Sequence, residues 1–392
     1  MSIRERLSGN EAIATAMRQI NPDVMPAFPI TPSTEIPQYF SSYVANGQVD
    51  TIFIPVESEH SAMSACIGSE AAGARTVTAT SSAGFAYMWE MLGVAASYRL
   101  PITLALVNRA LTGPININCD HSDGMGARDC GWIQIFCENN QEAYDNYIQA
   151  FRIAEHKDVR LPIMICQDGF ITSHGVENIE LLEDREVKSF VGEYKPENYL
   201  LNPNMTFAVG SYGTPSYYME AKRSQAEGMM NAKDVAIEVG KEFGKLSGRN
   251  YGLFEEYKLD DANYAIVVIG STAGTAKDAV DRLREKGKKV GLLKIRLYRP
   301  FPGKEIAQAL RGVKVIGIMD RAEGMSSQGG PLGADVKAAL FDNDISVKAV
   351  DFIYGLGGRD VRVENILEVF ENLEKASISR NFSTYEYLSV RD

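Results

Sequence analysis

From residue 51 to residue 166 the chain alternates between short apolar, β-branched runs (51–56, 75–80, 102–107 and 163–166) and stretches with apolar residues at helical spacing, such as Phe85, Met88, Leu92 and Ala96. Parallel strands need a crossover of a dozen or more residues, usually a helix, so this alternation predicts an α/β fold with a doubly wound parallel sheet. It also fixes where chemistry can occur. Loops at the carboxyl ends of parallel strands open on one edge of the sheet, and ligands collect there.

The flanking sequence extends the pattern. Ser8 and Glu11 have capping-box spacing ahead of a helix with Ile13, Met17 and Ile20 on one face. An extended segment is expected over 23–28, then a helix opened by Ser33 or Thr34, carrying Ile36, Phe40, Tyr43 and Val44 and stopped at Gly47. Residues 174–215, broken by prolines and charges, read as a connector. A long helix from Met219 to Leu246 follows, weakened by Gly228. A second α/β unit begins at Tyr264, with strands over 264–269, 289–295, 313–319 and 347–352 and helices over 275–286, 304–311, 334–341 and 364–373. A chain of 392 residues exceeds what one core comfortably holds, so two domains are expected, 1–245 and 246–392.

Composition excludes several function classes. A net charge of -11 is no footprint for nucleic acid, and no apolar run near 18 residues is present to span a membrane. The first residues carry charge where a signal peptide carries its apolar core, which places the chain in the cytoplasm. Cys66, Cys119, Cys130, Cys137 and Cys166 contain no C-x-x-C pair, and His60, His121, His156 and His174 lack zinc-site spacing, so no metal or iron-sulfur cluster is assigned to this chain.

Candidate site residues lie at the strand ends. Glu57 and Glu59 sit where the 51–56 strand hands over to a helix. They are either a solvated turn pair or, for one of them, a buried carboxylate that bonds a ligand's ring nitrogen. Arg109 follows the 102–107 strand, and its fork suits either a substrate carboxylate or Asp120, Asp123 or Asp129 in its own loop. Thr31 is an N-cap or turn hydroxyl, or a free one. The polar loop 108–131 is long enough to be functional. Gly270 to Gly274 has the look of a phosphate loop without a Walker lysine, and packing is its better explanation.

Taken in order, Phe28-Pro-Ile-Thr-Pro-Ser33, Glu57-Ser-Glu-His-Ser-Ala62, Asn108-Arg-Ala110, Asp120-His-Ser-Asp123, Asp129-Cys-Gly-Trp132, Asp168-Gly-Phe170 and Arg299-Pro-Phe-Pro302 resemble the alpha subunits of the pyruvate:ferredoxin oxidoreductase family, within the 2-oxoacid:ferredoxin oxidoreductases. The resemblance runs to about Leu373. It implies a pyrimidine-type thiamine diphosphate domain followed by a transketolase C-terminal-like α/β domain. It further implies that Glu59 bonds the aminopyrimidine ring, that Pro29 and Ile30 adjoin the cofactor, that Thr31 contacts the substrate's keto oxygen and that Arg109 holds its carboxylate. The implied reaction converts pyruvate, coenzyme A and oxidised ferredoxin to acetyl-CoA, carbon dioxide and reduced ferredoxin, or runs in reverse.

Branched-chain 2-oxoacids, 2-oxoglutarate and oxalate are the alternative substrates; a non-redox thiamine-dependent decarboxylase subunit and a non-catalytic scaffold are the rival readings. No Gly-Asp-Gly stretch is present, so the diphosphate, its Mg2+ and the iron-sulfur clusters are expected on partner beta, gamma and ferredoxin-like delta subunits. Phe28 stands where the family commonly has Tyr, and His60 where it often has a small residue.

Overall fold

Ser8 and Glu11 each bond the other's backbone N–H, and the capping box so closed starts the first long helix of the computed structural model, which describes residues 3–379 and 381–391. In chain order the elements are β1 (Ile3–Ser8), α1 (Gly9–Ile20), β2 (Val24–Ala27), α2 (Glu35–Ala45), β3 (Ile52–Pro55), α3 (Glu59–Ala72) and β4 (Val77–Thr80). Then come α4 (Ser82–Tyr87), α5 (Trp89–Ser97), β5 (Thr103–Asn108), α6 (Ser122–Gly126), β6 (Ile133–Phe136), α7 (Asn140–Ala154) and β7 (Ile163–Asp168). Next are β8 (Val176–Leu181), α8 (Asp184–Val191), α9 (Tyr218–Ser247), β9 (Phe254–Tyr257), β10 (Tyr264–Val268), α10 (Thr272–Glu285) and β11 (Val290–Ile295). The chain closes with β12 (Leu297–Arg299), α11 (Gly303–Ala309), β13 (Val315–Asp320), α12 (Pro331–Asp342), β14 (Lys348–Ile353), α13 (Val363–Ile378) and β15 (Tyr385–Tyr387).

The first sheet has the order β4-β5-β7-β6, all parallel, and β2 and β3 continue it past β4 through a parallel bridge between Val24 and Thr76. Its central strands β5 and β7 are buried at every residue, as expected where helices cover both faces of a parallel sheet. The second sheet has the order β15-β14-β13-β10-β11-β9, parallel except for β9. β12, although it belongs to the later part of the chain, pairs antiparallel with β6 and so forms an edge of the first sheet. No helix among the described residues is long and apolar enough to cross a membrane.

Three expectations are corrected. The helix through Phe85 and Leu92 is two helices, α4 and α5, which meet at Met88. The 174–215 connector contains β8 and α8. β8 pairs with β1 in a ribbon held in part by Arg4 to Glu180 and Arg6 to Asn178, and its outward first half hides the alternation that marks a half-buried strand. The long helix does not falter at Gly228, where a β-carbon would lie 2.5 Å from Arg99 Nη2 and 2.6 Å from the Val159 carbonyl. Close approach, not flexibility, explains that glycine.

Candidate active site

Because β2 to β5 and β7 run parallel, the loops after them share one edge of the first sheet, and the candidate residues all lie there. The Ser58 hydroxyl accepts the Ser61 N–H and starts α3, so that Glu59 occupies its first position, where a carboxylate is favoured by the helix dipole. Glu59 is only 8% exposed. Its carboxylate receives no hydrogen bond among the described residues, and it lies against Gly84, where a β-carbon would come 2.4 Å from Oε1. Glu57 faces water, and the Ser61 hydroxyl donating to it holds its carboxyl below the ordinary value. The pair therefore splits, one carboxylate inward and one outward.

Arg109 is buried, and its guanidinium donates to two backbone carbonyls, Asn116 O from Nε and Thr31 O from Nη1, each at 3.0 Å. Among the described residues no carboxylate pairs with it. The own-loop salt bridge does not form because each acid is engaged elsewhere. Asp123 takes the backbone N–H of Arg109, Asp120 takes Ser122 and Gly357, and Asp129 lies beside Arg128 and Arg299. A buried cation held only by carbonyls is left with its charge unneutralised and can take an anion. Thr31 is exposed, and its hydroxyl makes no hydrogen bond among the described residues. It is no N-cap, since α2 starts after Thr34, which makes no side-chain cap bond either, while the Ser33 hydroxyl donates to Ile30 O. Pro29 is exposed and Ile30 half-buried on the same loop. His60 packs its ring 5.9 Å from that of Tyr87.

The Gly270 to Gly274 loop does bind an anion, but an internal one. The backbone N–H and hydroxyl of Ser271, at the start of α10, donate to Asp168, which also meets His121 Nε2 at 2.7 Å and Arg321 Nη1 at 3.1 Å. Burial pushes the Asp168 carboxyl up, but His121 and Arg321 outweigh it and hold it well below the usual carboxylate range. Cys119 lies close to His121 and Asp168, yet Arg321 already supplies the cation, and burial pushes the Cys119 thiol well up. The carboxylates of Glu138, Glu142 and Glu255 likewise converge on Lys294, with Lys277 beside them. Each group is already engaged by internal cations: Arg321 faces Asp168 in the first, and two lysines face three carboxylates in the second.

Residues 15–241 match the family described as "Pyruvate flavodoxin/ferredoxin oxidoreductase, thiamine diP-bdg", and residues 262–366 match "Pyruvate:ferredoxin oxidoreductase core domain II". The chain belongs to the pyruvate:ferredoxin oxidoreductase family. Pyruvate synthase subunit PorA of Thermotoga maritima is 51% identical over 99% of this chain and 98% of its own length. The Pyrococcus furiosus subunit of the same name is 46% identical, covering 96% of this chain and 95% of its own length. The ketoisovalerate oxidoreductase subunit VorA of Pyrococcus abyssi is 41% identical, with 95% of this chain and 94% of its own length covered. The fold matches that of 2-oxoglutarate:ferredoxin oxidoreductase from Magnetococcus marinus, with a TM-score of 0.74 at 18% identity over 96% of this chain and 65% of that one. It also matches a split-gene transketolase, with a TM-score of 0.53 at 12% identity over 95% of this chain and 96% of that one.

The cofactor of this oxidoreductase family fits the edge described. A carboxylate on a largely buried side chain that receives no hydrogen bond among the described residues is open to a ring nitrogen, and Glu59 is such a group. What sequence reasoning missed is how the site is held. Gly84 as the seat of Glu59 and Asp123 as the acceptor for the Arg109 backbone emerge only from the fold. Their one sequence signal is that each falls in a short run, 81–84 or 120–123, at the expected edge.

Proposed function

We propose that this pyruvate:ferredoxin oxidoreductase subunit holds the aminopyrimidine end of thiamine diphosphate and the 2-oxoacid, in an enzyme that converts pyruvate, coenzyme A and oxidised ferredoxin to acetyl-CoA, carbon dioxide and reduced ferredoxin, or runs in reverse. One observation carries the reading: a largely buried Glu59 whose carboxylate takes no hydrogen bond, and a buried Arg109 guanidinium with no acid beside it, both among the described residues, lie on the same sheet edge. Thiamine diphosphate, when bound, supplies the electron sink for decarboxylation. Glu59 holds the proton shared with the ring nitrogen. Arg109 binds the substrate carboxylate, Thr31 offers its hydroxyl to the keto oxygen, and Pro29 and Ile30 line the cofactor side.

The rest of the proposed assembly lies on other subunits. The diphosphate and Mg2+ belong to a beta subunit and the iron-sulfur clusters to a ferredoxin-like delta subunit, with a gamma subunit completing a cytoplasmic complex that passes electrons to ferredoxin. The chain divides functionally near residue 245. The test is titration calorimetry with thiamine diphosphate and Mg2+, on the lone chain and on the co-purified complex, followed by dye reduction with pyruvate and with 2-oxoisovalerate. Tight binding only by the complex and a preference for pyruvate are expected. Micromolar binding by the lone chain sinks the split site, and a preference for the branched substrate sinks the pyruvate assignment.

A further inference from the structure

Asp123 is 1% exposed, yet among the described residues no cation pairs with its carboxylate; four N–H groups donate to it. Oδ1 accepts from Asn108 Nδ2 at 2.8 Å and from the Gly124 backbone at 2.7 Å. Oδ2 accepts from the backbone N–H of Arg109 at 2.9 Å and of Ser82 at 3.0 Å. One oxygen atom therefore bridges the loop after β5 to the turn after β4. The Ser82 hydroxyl closes a second tie between them by donating to the Ala110 carbonyl. Ser82 has a φ of 42°, in the left-handed region that a non-glycine residue enters only when its surroundings hold it there. Two residues further on is Gly84, against which Glu59 lies.

We propose that Asp123 is a positioning residue for the reaction: its Oδ2 fixes the backbone that presents Arg109 to the substrate carboxylate and, through Ser82, the turn that seats Glu59. The proposal rests on the roles given above to Arg109 and Glu59. Its physical content is that a buried carboxylate satisfied only by N–H donors is a costly device for merely joining two loops. It is suited to hold two backbones in one fixed relation. Burial pushes the Asp123 carboxyl up to about 6 against the pull of its four donors, which places its loss of charge within reach of an assay. The ionisable groups that feel its charge from neighbouring elements are the thiols of Cys119 and Cys166, and burial keeps both neutral.

The test uses the assembled complex and a double-mutant cycle. Asp123→Asn keeps the shape but replaces one acceptor oxygen with a donor, and should raise KM for pyruvate on the order of tenfold. In an Arg109→Ala background the same change should leave KM within about twofold, because the group through which Asp123 acts is gone. A residual fall in kcat there reports the Ser82 and Glu59 arm. Equal KM factors in both backgrounds overturn the proposal while leaving the site intact, and an Arg109→Ala variant with unchanged KM overturns the site reading and the proposal with it. Should Asp123→Asn fail to assemble, the unaltered complex decides. KM for pyruvate must rise as pH falls through about 6, and a flat KM across that range overturns the proposal. Where the Asp123→Asn complex does assemble, loss of that acidic limb assigns it to Asp123.

Discussion

Glu59 lies so close to Gly84 that a β-carbon on the glycine would sit 2.4 Å from Oε1 and 2.8 Å from Cγ. The atoms in the way are side-chain atoms of Glu59, from Cγ to Oε1, and not backbone. Gly84→Ala should therefore fold, and its helix-compatible backbone should even gain about 0.5 to 1 kcal/mol from the loss of glycine's freedom. What must move is the Glu59 carboxylate. The expected outcome is an unchanged or slightly raised melting temperature together with a loss of turnover on the order of tenfold or more. Loss of both stability and activity would show that Gly84 serves packing alone.

Glu59→Gln tests the carboxylate itself. The amide keeps the shape but cannot share a proton with a ring nitrogen, and proton transfer by a placed side chain is worth roughly a hundredfold or more. Dye reduction by the purified complex should fall by that amount, with assembly intact. Glu57→Gln should change little, since Glu57 faces water and its carboxylate is held by the Ser61 hydroxyl and its own backbone. Equal losses in the two variants would mean that the inward carboxylate is not the working one.

How far these residues could be read beforehand differs from one to the next. The alternation of strands and helices placed Glu59, Arg109 and Thr31 on one edge, because parallel topology leaves no other edge for loops after strands. It could not choose between Glu57 and Glu59, since only the first turn of α3 decides which carboxylate turns inward. It left Arg109 even between a substrate and its own loop, because the fates of Asp120, Asp123 and Asp129 depend on contacts up to 237 residues away, as in the bond from Gly357 to Asp120. β1 and β8 escaped notice for a related reason. They are short, half-exposed strands whose register depends on each other, and nothing local marks such a pair.

Arg109→Ala removes a charged hydrogen-bond partner, an interaction worth about 1.5 to 3 kcal/mol, and should lower kcat/KM for pyruvate roughly ten- to more than a hundredfold. Arg109→Lys should recover only part. A lysine ammonium is a point donor that cannot bridge Thr31 O and Asn116 O while also presenting a fork to a carboxylate. Steady-state kinetics of the three enzymes provide the check, and unchanged values in the alanine variant would confine Arg109 to bracing its loop.

Asp168 carries a prediction about stability rather than turnover. It joins the two sheets, taking His121 from the loop before β6, Ser271 from the start of α10 and Arg321 from the end of β13. Asp168→Asn leaves the buried Arg321 cation without its counter-ion, and breaking one side of a buried pair costs about 3 to 5 kcal/mol. Thermal or urea unfolding of the complex at neutral pH should show a loss of that size. The sign with pH follows from the depressed carboxyl. In the unfolded chain Asp168 takes up a proton near about 3.9, whereas in the folded protein it does so only at lower pH. Its contribution is thus fully present above that unfolded value and fades as pH falls below it towards the folded one. The gap between the native and Asp168→Asn proteins should be constant from neutral pH down to about 5 and narrow only below about 4. A gap that closes at higher pH would mean that the Asp168–Arg321 ion pair is not what holds the two sheets together.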